Sequence, residues 1–154
     1  MSEEKNIWIF QATPKRFNII KALNNPEYDW DFWSIRQHKS EIKKDDLALI
    51  WVSGQDSGIY AVAGIICDPY KTGEINPITD EYFIDEKELA DATNPNILKV
   101  KIKYSGKFVD APLLKSRLNA VKGLENLSII QMPRGTNFLV TRNEWKIISN
   151  LIGK

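Results

Sequence analysis

The stretch DFWSIRQHKSEIKKDDLALIWVSG (31–54) carries a tryptophan near each end, with a basic and polar loop between them. Trp33 opens a short apolar run that predicts a strand around residues 32–35, and Trp51 belongs to the apolar run LALIWV (47–52). A near-continuous apolar run is typical of a strand that is buried on both faces. Two interpretations of the paired rings stay open: ordinary core packing, or a cage that holds a flat ligand.

The runs on either side predict the other strands of a sheet. IWIFQ (7–11) and IYAVAGIIC (59–67) are apolar and rich in β-branched or aromatic residues, and LSII (127–130) predicts a last strand. Residues 98–104 alternate cleanly, because apolar residues occupy one face and lysines the other. Such a stripe is more typical of a solvated sheet face than of a track for a nucleic-acid backbone. Its lysines are Lys99, Lys101 and Lys103.

Helix signals occur between and after these runs. Thr13 followed by Pro14 predicts a helix start, and DAPLLKSRL (110–118) predicts a second helix. Thr141 and Glu144 have the spacing of a capping box, with Gly153 as a C-terminal cap. The order of elements predicts an α+β fold: a small, strongly curved, mainly antiparallel β-barrel with flanking helices, closed or nearly closed.

Composition limits the class of protein. The 154 residues fit one domain, and no run approaches the roughly 20 apolar residues of a membrane helix. The start MSEEKN is polar and acidic, unlike a signal peptide. A single cysteine, Cys67, excludes an internal disulfide and suits a reducing cytoplasm, where we expect the protein to reside. One histidine and one cysteine leave little for a transition metal, so we expect neither metal nor cofactor.

The net charge of +1 conceals an uneven distribution. Residues 74–91 hold seven carboxylates and one lysine, a local charge of −6, so the remainder of the chain carries +7. We interpret the region at about 71–95 as a solvated acidic insertion in a single domain spanning residues 1–154. The rest of the molecule is basic enough to meet phosphates.

Four stretches resemble the EVE domain, a branch of the PUA-like superfamily that also includes the YTH and ASCH domains. The resemblance covers residues 7–152 except 71–95, and its specificity lies in the order of the four motifs. Many members carry Gly-Asp before the second strand of the central motif, where this chain has Asp45-Asp46. The stretches are IWIFQATPKRF (7–17), FWSIRQHKSEIKKDDLALIWVSG (32–54), GIYAVAGIICDPY (58–70) and LSIIQMPRGTNFLVTRNEW (127–145).

The resemblance implies a fold and a class of activity. PUA-like domains are small β-barrels with flanking helices that bind RNA or DNA, and the YTH and EVE branches hold a modified base in an aromatic cage. EVE members are linked to modified cytosine in DNA, and many occur near, or fused to, modification-dependent restriction machinery. The implied partners are therefore DNA or RNA bearing a modified base and a restriction-type nuclease or NTPase, with no membrane.

A cage for a flipped base needs flat apolar faces and polar groups for the edge of the base. Trp33 and Trp51 are the predicted faces, and Ser53 shares the Trp51 side of its strand by alternation. The face of Leu47, Leu49 and Trp51 fits core packing equally well. The predicted base-binding residues are Gln11, Ala12, Trp33, Ser34, Trp51, Ser53 and Gly54. The predicted rim and backbone contacts are Arg36, Gln37, His38, Arg134, Gly135, Thr136 and Asn137.

Three other functions stay open beside a base-binding module. An enzyme would need a nucleophile with a base, paired carboxylates or metal ligands, whereas the carboxylates nearest the cage lie among lysines in turns. We therefore expect no catalysis. The same cage could hold a small aromatic metabolite, or the patch could bind a protein. A binder of nucleic acid is distinguished by a steep salt dependence.

Overall fold

The computed structural model describes residues 5–153. Within them, no helix is long and apolar enough to cross a membrane. A short 3-10 helix spans Pro77–Tyr82. The strands are β1 (Ile7–Ala12), β2 (Trp30–Ser34), β3 (Leu47–Val52), β4 (Gly58–Ile65), β5 (Tyr70–Lys71), β6 (Leu98–Lys107), β7 (Leu113–Leu114) and β8 (Asn137–Val140). The α-helices are α1 (Ile19–Leu23), α2 (Glu86–Ala92), α3 (Lys115–Leu118), α4 (Ser128–Gln131) and α5 (Arg142–Ile152).

All eight of these strands belong to one sheet, in the order β2-β6-β4-β3-β1-β8, with β5 beside β6 and β7 beside β4. Only β1 and β3 pair in parallel, and every other pairing is antiparallel. Irregular register within β3/β4 and β4/β6 marks β-bulges, which increase twist. The sheet curls into a half-barrel, which confirms the predicted α+β fold and its strong curvature.

The sheet has a buried cluster on each side, because alternate residues of its central strands point in opposite directions. On one side, which we call the Phe10 face, Phe10 and Ile50 pack with α1. On the other, the Trp51 face, Trp51 and Leu49 pack with residues of α3, α4 and α5. The apolar runs of β1 and β3 are thus continuous because both sides of each strand are covered.

Asn137 joins the two end strands of the sheet by side-chain hydrogen bonds. Its Oδ1 accepts from the backbone N–H groups of Arg36 (2.7 Å) and Gln37 (3.2 Å), and its Nδ2 donates to the carbonyl oxygen of Ser34 (3.1 Å). In return, Gln37 Oε1 accepts from the backbone N–H groups of Thr136 and Asn137. The end of β2 and the start of β8 are therefore held together where no strand-to-strand ladder connects them.

Two of the predicted helix starts are wrong. The helix expected at Pro14 begins only at Ile19, because Phe17 instead pairs in an isolated β-bridge with Phe83. Asn18, which donates its backbone N–H to Tyr82, then caps the helix with its side chain.

The segment expected to be helical over 110–118 first forms β7, and α3 follows it only at Lys115. β7 pairs with Gly58 and Ile59 of β4. A Cβ at Gly58 would lie 2.4 Å from the carbonyl oxygen of Leu113, so this close strand approach depends on glycine.

The strand predicted at residues 127–130 is also wrong, since this stretch begins helix α4. The edge of β1 that a further strand could join is already taken by β8. Leu127 and Ile129 nevertheless reach the Trp51 face, so the apolar character of the stretch serves core packing. The capping box of Thr141 and Glu144 is confirmed, with both reciprocal hydrogen bonds formed, and Gly153 caps the end of α5.

The acidic region is a packed part of the molecule, which corrects its interpretation as a solvated block. Asn76 and Tyr82 are buried, and Asn76 Nδ2 donates to the carbonyl oxygen of Trp30 at 2.9 Å. Lys99 is buried as well, so the predicted solvated stripe fails at this residue. Its ammonium donates to the carbonyl oxygens of Ala92 (2.8 Å) and Asn94 (3.1 Å), where it anchors the end of α2.

Candidate functional site

A cavity of about 420 Å³ opens where β1 and β2 end. Its walls come from these strand ends, the turn at residues 13–17, the acidic region and the loop at 135–136. This size falls in the range of small-molecule and nucleobase pockets, roughly 300–1,000 Å³. Sequence-predicted residues that line it are Gln11, Ala12, Trp33, Ser34, Arg36, Gln37, Gly135 and Thr136.

Aromatic rings form part of the wall. Trp33 is half-buried and lies nearly parallel to Phe10, with 6.1 Å between ring centroids, so the core supports one side of its ring. Phe17 and Phe83 also line the cavity and contact each other edge to face at 4.9 Å. Neither phenylalanine was predicted as a site residue from the sequence. Phe17 ends one of the four quoted motifs, but Phe83 lies in the acidic region, where no pattern pointed to a site.

Two glutamines hold the loop that borders the cavity. Gln11 Nε2 donates to the carbonyl oxygens of Pro133 (3.0 Å) and Gly135 (2.8 Å), while its backbone N–H donates to the carbonyl of Thr136. Gly135 has φ +127°, which favours glycine, and a Cβ there would approach Gln37 Oε1 to 3.3 Å. Gln11 and Gln37 are therefore well placed to position the cavity edge.

Trp51 lies elsewhere, so the prediction that Trp33 and Trp51 line one cavity is wrong. Trp51 is 3% exposed and packs in the cluster of the Trp51 face, on the other side of the sheet from Phe10. The alternative interpretation, core packing, is the one that the structure supports. Ser53 and Gly54 line a separate, more open cavity beside Tyr60, and they do not border the one at Trp33.

The remaining rim residues are dispersed. His38 packs against Trp8 with ring centroids 5.0 Å apart and lies 3.5 Å from Glu41, outside the cavity lining. Arg134 is exposed and also absent from the lining. Asn137 is 2% exposed and acts as the sheet connector described above. The sequence predicted these three residues at the rim of the cavity, but none of them lines it.

Asp31 is a buried carboxyl group in the wall next to Trp33. Burial raises the pKa of Asp31 to about 7, against the lowering effect of hydrogen bonds from the Tyr28 hydroxyl and the Phe32 backbone N–H. The Tyr104 hydroxyl donates to the Tyr28 hydroxyl, so a chain of hydrogen bonds runs from Tyr104 through Tyr28 to Asp31. The cavity thus has a carboxyl group whose charge depends on pH near neutrality.

Ion pairs lie along the part of the cavity wall that α2 forms. Arg36 contacts Asp91 of α2 at 3.1 Å, and Lys87 contacts the same carboxylate at 3.6 Å. Arg16 lies 4.0 Å from Asp85, at the start of the same helix. Burial raises the pKa of Glu88, whereas the guanidinium groups of Arg16 and Arg36 oppose this rise. The arginines that face the cavity are thus already close to carboxylates of the acidic region.

This arrangement is suited to holding a planar group. Trp33, Phe17 and Phe83 provide apolar ring surface, and Asp31 and Ser34 provide polar groups in the same cavity. Among residues 5–153, no group of three or more His, Cys, Asp or Glu side chains is placed to hold a metal ion.

Solved structures share this architecture over nearly the whole chain. A hypothetical protein from Leishmania major has a TM-score of 0.70 at 16% identity, with 98% of this chain and 96% of that one covered. Human THYN1, crystallised with DNA containing 5-methylcytosine, has a TM-score of 0.66 at 16% identity and coverages of 97% and 99%. The ASCH protein of Zymomonas mobilis, as its S128A mutant, has a TM-score of 0.60 at 11% identity and coverages of 97% and 99%.

The curled sheet with small flanking helices defines a PUA-like domain. The sequence matches the model of the EVE domain over residues 6–151, so the chain belongs to the EVE family, as its motifs indicated. No curated protein matches the chain.

Proposed function

We propose that this domain is a non-catalytic DNA-binding module that holds a flipped base, with modified cytosine favoured, in the cavity at Trp33. The observation that carries the proposal is the half-buried Trp33 ring in the wall of a cavity of about 420 Å³. Phe10 packs on the core side of the Trp33 ring, and we assign the other ring surface to stacking on the base. Stacking of one base on an aromatic side chain is worth about 1–3 kcal/mol.

Family membership supports this proposal. The chain belongs to the EVE family, and the structurally similar human THYN1 was crystallised with DNA containing 5-methylcytosine. A base that enters a pocket must leave the helical stack, which costs a few kcal/mol in duplex DNA. We therefore expect weak binding that improves when the target base is unpaired or mismatched.

The cavity suggests a role for each side chain. Trp33 stacks on one face of the base, and Phe17 or Phe83 covers part of the other. Asp31, when ionised, accepts a hydrogen bond from the exocyclic amino group of cytosine, a pairing that carboxylates make in DNA complexes. The hydroxyl of Ser34 supplies a further polar contact. A keto group in place of the amino group would face the Asp31 carboxylate and be disfavoured.

The carboxylates around the cavity favour a second candidate, a small aromatic molecule with an amino group or positive charge and without phosphate. Four acidic residues line the cavity, and an anionic backbone has to avoid them. They are Asp31, Glu74, Glu88 and Asp91. A small cationic ligand would bind with a shallow salt dependence, whereas DNA binding weakens steeply with salt because phosphate contacts release counterions. RNA can make the same stacking and phosphate contacts as DNA and is therefore an alternative ligand.

The test is fluorescence anisotropy with DNA oligonucleotides of one sequence, single- and double-stranded, with 5-methylcytosine or cytosine at one position and at two salt concentrations. We expect tighter binding of the modified and unpaired base. Trp33→Ala should weaken it by about 1–3 kcal/mol, and Trp33→Phe by less, because a ring remains. Trp145→Ala is the control, since Trp145 is half-buried against the Trp51 face. Equal loss in both alanine variants, or no preference for any base, would reject the proposal.

A further inference from the structure

A mixed aromatic and basic surface on β2, β5 and β6 borders the cavity. We call it the lysine–aromatic face; it consists of Trp30, Phe32, Tyr70, Lys101 and Lys103. The Lys101 ammonium lies 4.1 Å from the centroid of the Trp30 ring and 5.7 Å from that of Phe32. Phe32 contacts Trp30 and Tyr70 edge to face, at 5.7 and 6.5 Å between centroids. Tyr70 is 42% exposed, and Lys103 is exposed.

This face is continuous with the cavity. Phe32 belongs to both, since it lines the cavity and pairs in register with Lys101. The next residue on the same side of β2, Ser34, also lines the cavity. A strand of nucleic acid with one base in the cavity could therefore pass directly onto these rings.

The part of the cavity wall formed by α2 is unfavourable for phosphates. There α2 presents Glu88, and its Asp91 already pairs with Arg36 and Lys87. A phosphate on that side would meet carboxylates and would have to displace Asp91 from the guanidinium. The lysine–aromatic face instead carries two lysines. One carboxylate, Glu74, lies close enough that its charge, together with burial, raises the pKa of Tyr70. Charge therefore favours the lysine–aromatic face over α2 as the path of the strand.

We propose that the DNA strand leaves the cavity across the lysine–aromatic face, with unpaired flanking bases stacked on Tyr70 and Trp30 and phosphates near Lys101 and Lys103. This inference rests on the proposed function and specifies its substrate as a target base with unpaired neighbours. Aromatic rings interleaved with cations are the usual means of binding single strands, because every base has a π-face.

The experiment uses two single-stranded DNA probes of about nine nucleotides, a length within the usual site sizes of single-strand binders. Both carry one central 5-methylcytosine, and in the second the neighbouring nucleotides are abasic, which keeps the phosphates and removes the flanking rings. Tyr70→Ala should weaken binding of the first probe by about 5- to 150-fold, equivalent to one stacked base, and leave the abasic probe nearly unaffected. Lys103→Glu should weaken both probes and reduce the slope of log affinity against log salt by about one.

Matched controls lie on other surfaces. Leu139→Ala removes an apolar side chain that is 40% exposed, and Lys146→Glu reverses an exposed charge on α5. If Tyr70→Ala and Lys103→Glu bind like these controls while Trp33→Ala still weakens both probes, the strand path is wrong and the proposed function stands. If wild-type protein binds neither probe, the proposed function is wrong and the path falls with it.

Discussion

Trp33 and Trp51 both lie in apolar runs of the same sequence motif, but their surroundings in the fold differ. Trp33 lies on β2, an end strand of the sheet, where the ring is half-buried beside a cavity. Trp51 lies on β3, a central strand, where the ring is 3% exposed among aliphatic side chains such as Leu49 and Ile59. Both rings follow the same rule, that apolar surface avoids water, but only the ring on the end strand also borders the cavity.

The largest expected effect comes from removing the enclosed ring. Trp51→Ala should lower the free energy of unfolding by about 3–5 kcal/mol, because it leaves a cavity in a packed cluster. Trp33→Ala should cost less stability, since water already reaches that ring. Urea unfolding followed by circular dichroism measures both. A larger loss of stability for Trp33→Ala than for Trp51→Ala would contradict the contrast between the two rings.

The second largest effect concerns Asp31, the buried carboxyl group beside Trp33, which should make the stability of the fold depend on pH. The raised folded-state pKa of Asp31 means that the folded protein keeps a proton that the unfolded chain releases between about pH 4 and 7. Stability should therefore fall as pH rises through this window, and the loss is complete above the folded-state pKa. A shift from 3.8 to about 7 corresponds to at most about 4 kcal/mol, at about 1.4 kcal/mol per pKa unit.

Urea unfolding across this pH range measures the effect, with Asp31→Asn as the variant that removes the titrating group. Its stability should vary less with pH than that of the wild type. Asp29→Asn is the matched control, since Asp29 is exposed and two residues away. A wild-type curve that rises between about pH 4 and 7 after subtraction of the Asp31→Asn curve would contradict the assignment.

The third prediction concerns the junction between β2 and β8, which we expect to depend on the side chain of Asn137. Asn137→Ala should cost about 1–3 kcal/mol, because the backbone N–H groups of Arg36 and Gln37 lose their acceptor. Amide hydrogen exchange should speed up at these two residues and remain slow at Leu49, on the other face. Asn150→Ala, at an exposed position of α5, provides the control. Uniform acceleration across the sheet would show that Asn137 supports the whole fold and not this junction.

The sequence predicted the fold better than the site, and the difference has physical causes. Near-continuous apolar runs located β1, β3 and β4, because these strands are buried on both faces, and alternation located β6. Alternation also grouped Trp51 with Leu49, but it could not show that the other face of β3 is the one turned toward β2. That relation is a property of the sheet order, in which β6 and β4 separate the two strands.

The acidic region shows a second limit of local patterns. Its charge indicated solvation, and its ion pairs with Arg16 and Arg36 depend on partners about 55–70 residues away along the chain. Phe83 lines the cavity, and the buried Asn76 and Tyr82 bond to Trp30 and Asn25, so these positions also depend on distant partners. Predicted site residues that line the cavity, such as Gln11 and Ser34, lie at strand ends within the motifs that resemble the family.

The smallest expected effect concerns the turn that leads into the buried strand of Trp51. Asp45 replaces the glycine that many EVE members carry, and its φ is +78°, a left-handed conformation that costs a residue with a Cβ more than glycine. Its side chain is exposed, whereas the neighbouring Asp46 is buried and accepts from Trp8 Nε1 at 2.9 Å. Asp45→Gly should therefore stabilise the fold, by about 1 kcal/mol or less, because the unfolded chain also gains freedom. Thermal unfolding measures the gain, with Asp110→Gly, a substitution at another exposed aspartate, as the comparison. A loss of stability in Asp45→Gly would mean that the aspartate side chain supports the turn, and the departure from the family pattern would then be an adaptation and not a tolerated strain.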